Sequence, residues 1–132
     1  MADVTVVARF AGAEIDPEAL IQQFGVTPSN IWNRGDTDRR SRTRESSGMN
    51  VPVAEAASGA EAIQAAFSWL ATHHSLVAEA SAQGGEIELD FGMFVGAEES
   101  FAPSLSLSVE ALSQFAEAGV SVRVSAYPTS GE

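Results

Sequence analysis

Three stretches of this chain alternate apolar and polar side chains with a period of two, and they limit the available folds more than any other feature. Val4, Val6, Ala8 and Phe10 are interleaved with Thr5, Val7 and Arg9. Ile87, Leu89 and Phe91 are interleaved with Glu86, Glu88 and Asp90. Near the end, Val120, Val122, Val124 and Ala126 are interleaved with Ser121, Arg123, Ser125 and Tyr127. This is the pattern of strands that bury one face and leave the other in water. A doubly wound parallel sheet, covered on both faces, would read as continuous apolar runs instead. Shorter strands are expected at Asn30–Asn33, at Met49–Ala54, where Pro52 calls for an edge or a bulge, and at Ser104–Leu107, with Leu105 and Leu107 inward.

Helices fall between these strands and carry their own start and stop signals. Asp16-Pro17 opens the first, Ile15 is spaced to staple against Leu20, and Gly25 ends it. Ser58 with Glu61 forms a capping box for a long helix over about Gly59–Ala82, closed by Gly84-Gly85. Its apolar stripe is expected to run through Ile63, Ala66, Phe67, Leu70, His74 and Val77. Ser108 caps a short third helix that shows Leu112 and Phe115 to the core. The order β-α-β-β-α-β-β-α-β predicts the α+β class, a mostly antiparallel sheet with helices on one face and a ferredoxin-like start that is then extended. One domain over residues 1–128 is expected, with a polar, arginine-rich loop at about 36–48 and a frayed tail at 129–132. The expected core is Val6, Phe10, Leu20, Phe24, Phe67, Leu70, Leu89, Phe91, Leu107, Leu112, Phe115, Val122 and Val124.

Charge narrows the functional classes. The 132 residues carry 18 acidic side chains against 7 basic ones, all arginine, for a net of −11. Five of the arginines (Arg34, Arg39, Arg40, Arg42 and Arg44) lie between positions 34 and 44. A body this acidic repels phosphate backbones, so general nucleic-acid binding is disfavoured and a basic partner protein fits better. With no cysteine, thiolate chemistry is excluded, and no apolar run is long enough to span a membrane. A cytoplasmic location is expected.

Few residues suggest chemistry. His73 and His74 point about 100° apart on a helix and cannot readily share one ion; His74 reads as a hydrogen-bonded core or boundary residue. Glu86, Glu88 and Asp90 line one strand face; a solvated strand face is the commoner reading of such a pattern, and of the functional alternatives a charged docking surface is preferred to a site for a hard cation. Neither a phosphate loop nor a Gly-Xaa-Ser-Xaa-Gly motif occurs. No catalytic residue, cofactor or metal is therefore assigned. The run Arg39-Arg40-Ser41-Arg42-Thr43-Arg44 offers forked contacts to carboxylate or phosphate, and Trp32 is expected half-buried beneath that mobile loop.

Several of these segments together are similar to a family. Ile15-Asp16-Pro17, Phe24-Gly25-Val26-Thr27-Pro28-Ser29, Arg34-Gly35-Asp36, the later Leu105-Ser106-Leu107-Ser108-Val109-Glu110-Ala111-Leu112, and Gly119-Val120 before a strand ending in Tyr127 resemble the bacterial domain-of-unknown-function family numbered 4279 (DUF4279). The resemblance spans nearly the whole chain, departing where Ser46–Val51 stands in place of an aromatic after the Gly-Asp loop. It implies a small intracellular α+β domain without an assigned activity, weakly associated with immunity proteins that neutralise toxins.

The sequence thus reads as a non-catalytic binding protein of inhibitor or immunity type, taking a basic partner on an acidic surface. Its candidate partner-binding residues are Trp32, Arg39, Arg40, Arg42, Arg44, Glu86, Glu88 and Asp90. A ligand sensor or enzyme with a pocket between sheet and helices is the alternative, and a homo-oligomeric module, a weak dimer joined by the arginine loop, is the third.

Overall fold

The computed structural model describes residues 3–95 and 104–128. The expected loop at Gly96–Pro103 and the tail at Thr129–Glu132 lie outside them. Nine elements follow in order: β1 (Val4–Gly12), α1 (Pro17–Phe24), β2 (Asn30–Trp32), β3 (Ser47–Ala56), α2 (Gly59–Thr72), α3 (His74–Ala82), β4 (Glu86–Val95), α4 (Val109–Glu117) and β5 (Val120–Pro128). The strands form one five-stranded sheet in the order β2-β3-β1-β4-β5. β1 lies between β3 and β4 and is antiparallel to both, and β2 is antiparallel to β3. Only β4 and β5 run parallel, joined through α4, because parallel neighbours need a crossover. The fold is α+β, with the expected ferredoxin-like start and β5 added beyond β4.

Local chemistry explains the element ends. Asp16 accepts the Ala19 N–H (3.2 Å), Ser58 that of Glu61 (3.2 Å) and Ser108 that of Ala111 (3.0 Å), each satisfying a first-turn donor that the helix cannot. Gly25 ends α1 in the left-handed conformation at φ 70°, its N–H reaching the Ile21 carbonyl. On β3, Val53 is an extra residue between Pro52, opposite Val7, and Ala54, opposite Val6. The bulge tolerates the proline because β2 pairs only with Gly48–Asn50, leaving no ladder bond to lose on that side.

The helices and the edge of the sheet depart from expectation in several places. The long helix breaks at His73 (φ −111°, ψ 24°), where the ring stacks on Trp69 with centroids 4.5 Å apart and Nδ1 donates to the Trp69 carbonyl (3.0 Å). The break turns α3, so its buried stripe runs through Leu76, Val77 and Ala80 and His74 is exposed. Ser104–Leu107 joins no ladder: it crosses the start of α2, where a Cβ on Gly59 would sit 2.7 Å from the Ser104 carbonyl oxygen, although Leu105 and Leu107 still pack on the core. In α4 it is Ala111 and Phe115, one turn apart, that face inward, so Leu112 is 50% exposed. Val124, on the helix-facing side of the edge strand, is 53% exposed because, among the described residues, β4 alone pairs with β5. The core otherwise holds Val6, Phe10, Leu20, Leu70, Leu89, Phe91 and Phe115, with Phe24, Phe67 and Val122 half-buried against it. No helix among the described residues is long and apolar enough to cross a membrane.

Candidate functional site

With the helices on one side, the polar side chains of the alternating strands make a helix-free face. The register aligns Asn50, Arg9, Glu88 and Ser121 across β3, β1, β4 and β5, and beside them Pro52, Val7, Asp90 and Arg123. Arg123 Nε donates to Glu88 Oε1 (3.0 Å) and Ser125 Oγ to Asp90 Oδ1 (2.8 Å). Of the three carboxylates singled out in the sequence, Glu88 and Asp90 are thus engaged from β5, while Glu86 is exposed opposite Ala11. This strand face alternates in sign. Arg9 and Arg123 share it, and the polar side of the period-2 pattern already marked them.

At the β2 end of this face lies Trp32. It is only 4% exposed, more deeply covered than expected, although no helix lies above it. Its ring rests on Gly48, where an added Cβ would collide with Trp32 Cζ2 and with the Phe10 carbonyl oxygen. The Arg9 guanidinium carbon lies 4.4 Å, and that of Arg44 5.2 Å, from the ring centroid. Both contacts are cation–π geometry. The indole Nε1 is buried and has no hydrogen-bond partner among the described residues. Burial pulls the Arg9 pKa down, Glu88 opposes that shift, and the neighbouring positive charges of Arg44 and Arg123 reinforce it. At the opposite end Tyr127 packs beside Phe94, with centroids 5.7 Å apart, and over Gly92.

The arginine loop was expected to be mobile and is instead a hydrogen-bonded hairpin. Gly35 N–H donates to the Arg44 carbonyl (2.9 Å), Arg44 N–H to that of Asp36 (2.7 Å) and Asp38 N–H to that of Arg42 (2.8 Å), with Thr37 bridged to Thr43. Asp38 organises the tip: its carboxylate accepts the backbone N–H of Arg40 (2.8 Å) and Arg42 (2.9 Å) and the Arg42 Nε (3.2 Å). Those bonds, the Arg42 N–H foremost, hold the Asp38 carboxyl below the usual aspartate range. Residues without apolar side chains can order a loop this way, because a carboxylate gathers backbone donors as a turn would. Of the loop arginines, Arg44 reaches the Trp32 ring, Arg42 is tied to Asp38, and Arg39 and Arg40 are exposed.

On the other side of the sheet, α1 to α4 and their caps carry Asp16, Glu18, Glu61, Glu79, Glu110 and Glu117 and no arginine. Two surface grooves run along α4. One, against α2, is lined by Ile63, Gln64, Phe67, Ser108, Glu110 and Gln114; the other, against α3, by Leu70, His74, Val77, Ser81, Glu117 and Gly119. His74 turns its ring nitrogens to the Ala71 carbonyl (3.1 Å) and the Ser75 hydroxyl (3.5 Å), not into a relay with Ser81 and Glu117. The space between sheet and helices is filled by side chains such as Phe10, Leu20, Leu76 and Phe91. Among the described residues no group of three or more histidine, aspartate or glutamate side chains is arranged to hold a metal ion.

A sheet with split β-α-β units and helices on one side defines an α+β domain, and the candidate residues singled out in its sequence lie on its surfaces. The chain belongs to the family described as domain of unknown function DUF4279, whose model matches residues 3–129. Neither the curated proteins nor the solved structures give a significant match.

Proposed function

We propose that this chain is a non-catalytic binding protein that captures a basic partner protein on the acidic surface of its helix layer, as an inhibitor or immunity-type protein would. The observation that carries the reading is charge segregation. All 7 arginines lie on strands or in the hairpin, while the helices and their caps carry carboxylates alone. The strand carboxylates first considered for this role are partly neutralised by Arg123 and Arg9; those of the helices have no such neighbours on their own elements. A body of net charge −11 draws a basic protein in and speeds encounter. Val109 and Leu112, 83% and 50% exposed, supply apolar anchors on α4, the helix that carries Glu110 and Glu117. Opposed charge sets the rate and orientation of docking, whereas desolvated apolar anchors set its lifetime.

Immobilised wild type and a Glu110→Arg/Glu117→Arg variant, each checked for folding by circular dichroism, would be exposed to the native extract at low and high salt. A basic protein retained by the wild type at low salt and lost by the variant is the expected outcome. Equal capture by both, or capture of acidic proteins only, would refute the reading. The same segregation favours a second reading, in which the hairpin arginines of one copy meet the helix carboxylates of another. Exposed pairs contribute only about 0–1 kcal/mol each, so such an assembly would be weak and would dissolve in salt, which light scattering on the same samples reads directly.

A further inference from the structure

The helix layer leaves the opposite face of the sheet without a role, and that face holds the least ordinary contact in the molecule: two half-buried arginines on one tryptophan. A single guanidinium is enough to cover an indole ring. Two on the same ring repel each other, and both have given up part of their hydration to be there. A chain with 18 carboxylates has ample means to neutralise such a pair. Among the described residues the ion pairs within 4 Å are Arg34–Glu14, Arg42–Asp38 and Arg123–Glu88, and neither Arg9 nor Arg44 takes part in one. Glu88, which faces Arg9 across β1 and β4, gives its carboxylate to Arg123 instead.

The groups that cover the ring are donors, and the nearest carboxylate, Glu88, is engaged by Arg123. Arg9 and Arg44 offer forked N–H groups and cannot accept, and the indole Nε1 of Trp32 can only donate and is buried without a partner among the described residues. The floor beneath the ring is the bare backbone at Gly48, so no side chain intrudes. The Arg44 backbone is held at both its N–H and its carbonyl by the hairpin, which fixes where its side chain starts. Converging donors whose neighbouring carboxylates, Glu88 and Asp90, are already bonded to Arg123 and Ser125 are complementary to a group that only accepts.

We propose that Arg9, Trp32 and Arg44 form a binding site for a compact oxyanion, a phosphate or carboxylate group, on the helix-free face of the sheet. The anion bridges the two guanidinium groups and relieves their mutual repulsion. The acidic body disfavours extended polyanions here, so the ligand is small or presents a single such group. The site is independent of the proposed partner surface on α4, which lies across the sheet.

The test is a titration of the 15N-labelled full chain with sodium phosphate, and separately with sodium acetate, each against sodium chloride at constant ionic strength and pH. The Trp32 indole N–H resonance, assigned with a Trp69→Phe variant, is the readout. A saturable shift with phosphate or acetate that chloride does not reproduce is expected; the tighter of the two identifies the source as a phosphoryl or a carboxyl group. Arg9→Gln and Arg44→Gln should each weaken it about tenfold or more, the loss of one charge-assisted contact, while Arg40→Gln at the hairpin tip changes it less than about twofold. Arg9→Lys, which keeps the charge and loses the fork, should fall between. Shifts that never saturate, that chloride matches, or that survive Arg9→Gln and Arg44→Gln in folded protein would overturn the proposal.

Discussion

Gly48→Ala tests whether the sheet face is built around Trp32. The new methyl group would occupy space already taken by the Trp32 ring and by the Phe10 carbonyl oxygen of the neighbouring strand. A flexible side-chain end could swing away, but a backbone carbonyl in the β1–β3 ladder cannot move without breaking register. Overpacking of this kind costs about 1–3 kcal/mol. If the ring is expelled instead, the lost burial approaches what truncating a buried tryptophan costs, about 3–5 kcal/mol. The lower conformational entropy of an unfolded alanine chain returns about 0.4–1 kcal/mol. A net loss of about 2–4 kcal/mol is expected, a large share of the stability of an ordinary domain. Urea titration followed by far-ultraviolet circular dichroism measures it, and a red-shifted emission in the Trp69→Phe background would report the exposed ring. Gly92→Ala is the internal control. There the added carbon would meet Thr5 Oγ1 and Tyr127 Cε2, both at 2.8 Å and both side-chain atoms able to yield, so about 1 kcal/mol or less is expected. The reasoning fails if Gly48→Ala lies within about 0.5 kcal/mol of wild type or costs no more than Gly92→Ala.

Two further outcomes follow from burial and hydrogen bonding. Leu70→Ala, in the core, should cost about 2–5 kcal/mol in the same titration, while Leu112→Ala on exposed α4 should stay within about 0.5 kcal/mol; the reverse order would mean that α4 presents its other face to the sheet. Because the folded-state pKa of Asp38 is depressed, its hold on the hairpin is complete above the unfolded value of about 3.9 and is lost as pH falls through the lower folded value. The amide resonances of Arg40 and Arg42 should therefore titrate together with a midpoint below about 3.9, and a midpoint at or above that value would show that the carboxylate does not hold the tip.

What the sequence determined by itself was whatever acts within a few residues. The alternation of Val4–Phe10 and Glu86–Phe91 marked strands and their wet side, and Asp16, Ser58 and Ser108 marked helix starts because their oxygens reach donors three residues on. The family, too, was legible in short segments such as Phe24–Ser29 and Leu105–Leu112. The side-chain cluster was legible only in pieces. Trp32, Arg44, Glu88 and Asp90 were marked by type and pattern, yet nothing local says that Arg9 faces Glu88 or that Trp32 lies on Gly48. Order in the hairpin was missed because it comes from one carboxylate collecting backbone donors, which composition does not reveal. The break at His73 and the rotation of α4 were missed because an apolar stripe several residues wide permits more than one rotation until neighbouring elements select one. Those decisions belong to tertiary structure, since strand register and ring stacking join residues tens of positions apart, and their free energy exists only once the sheet has closed.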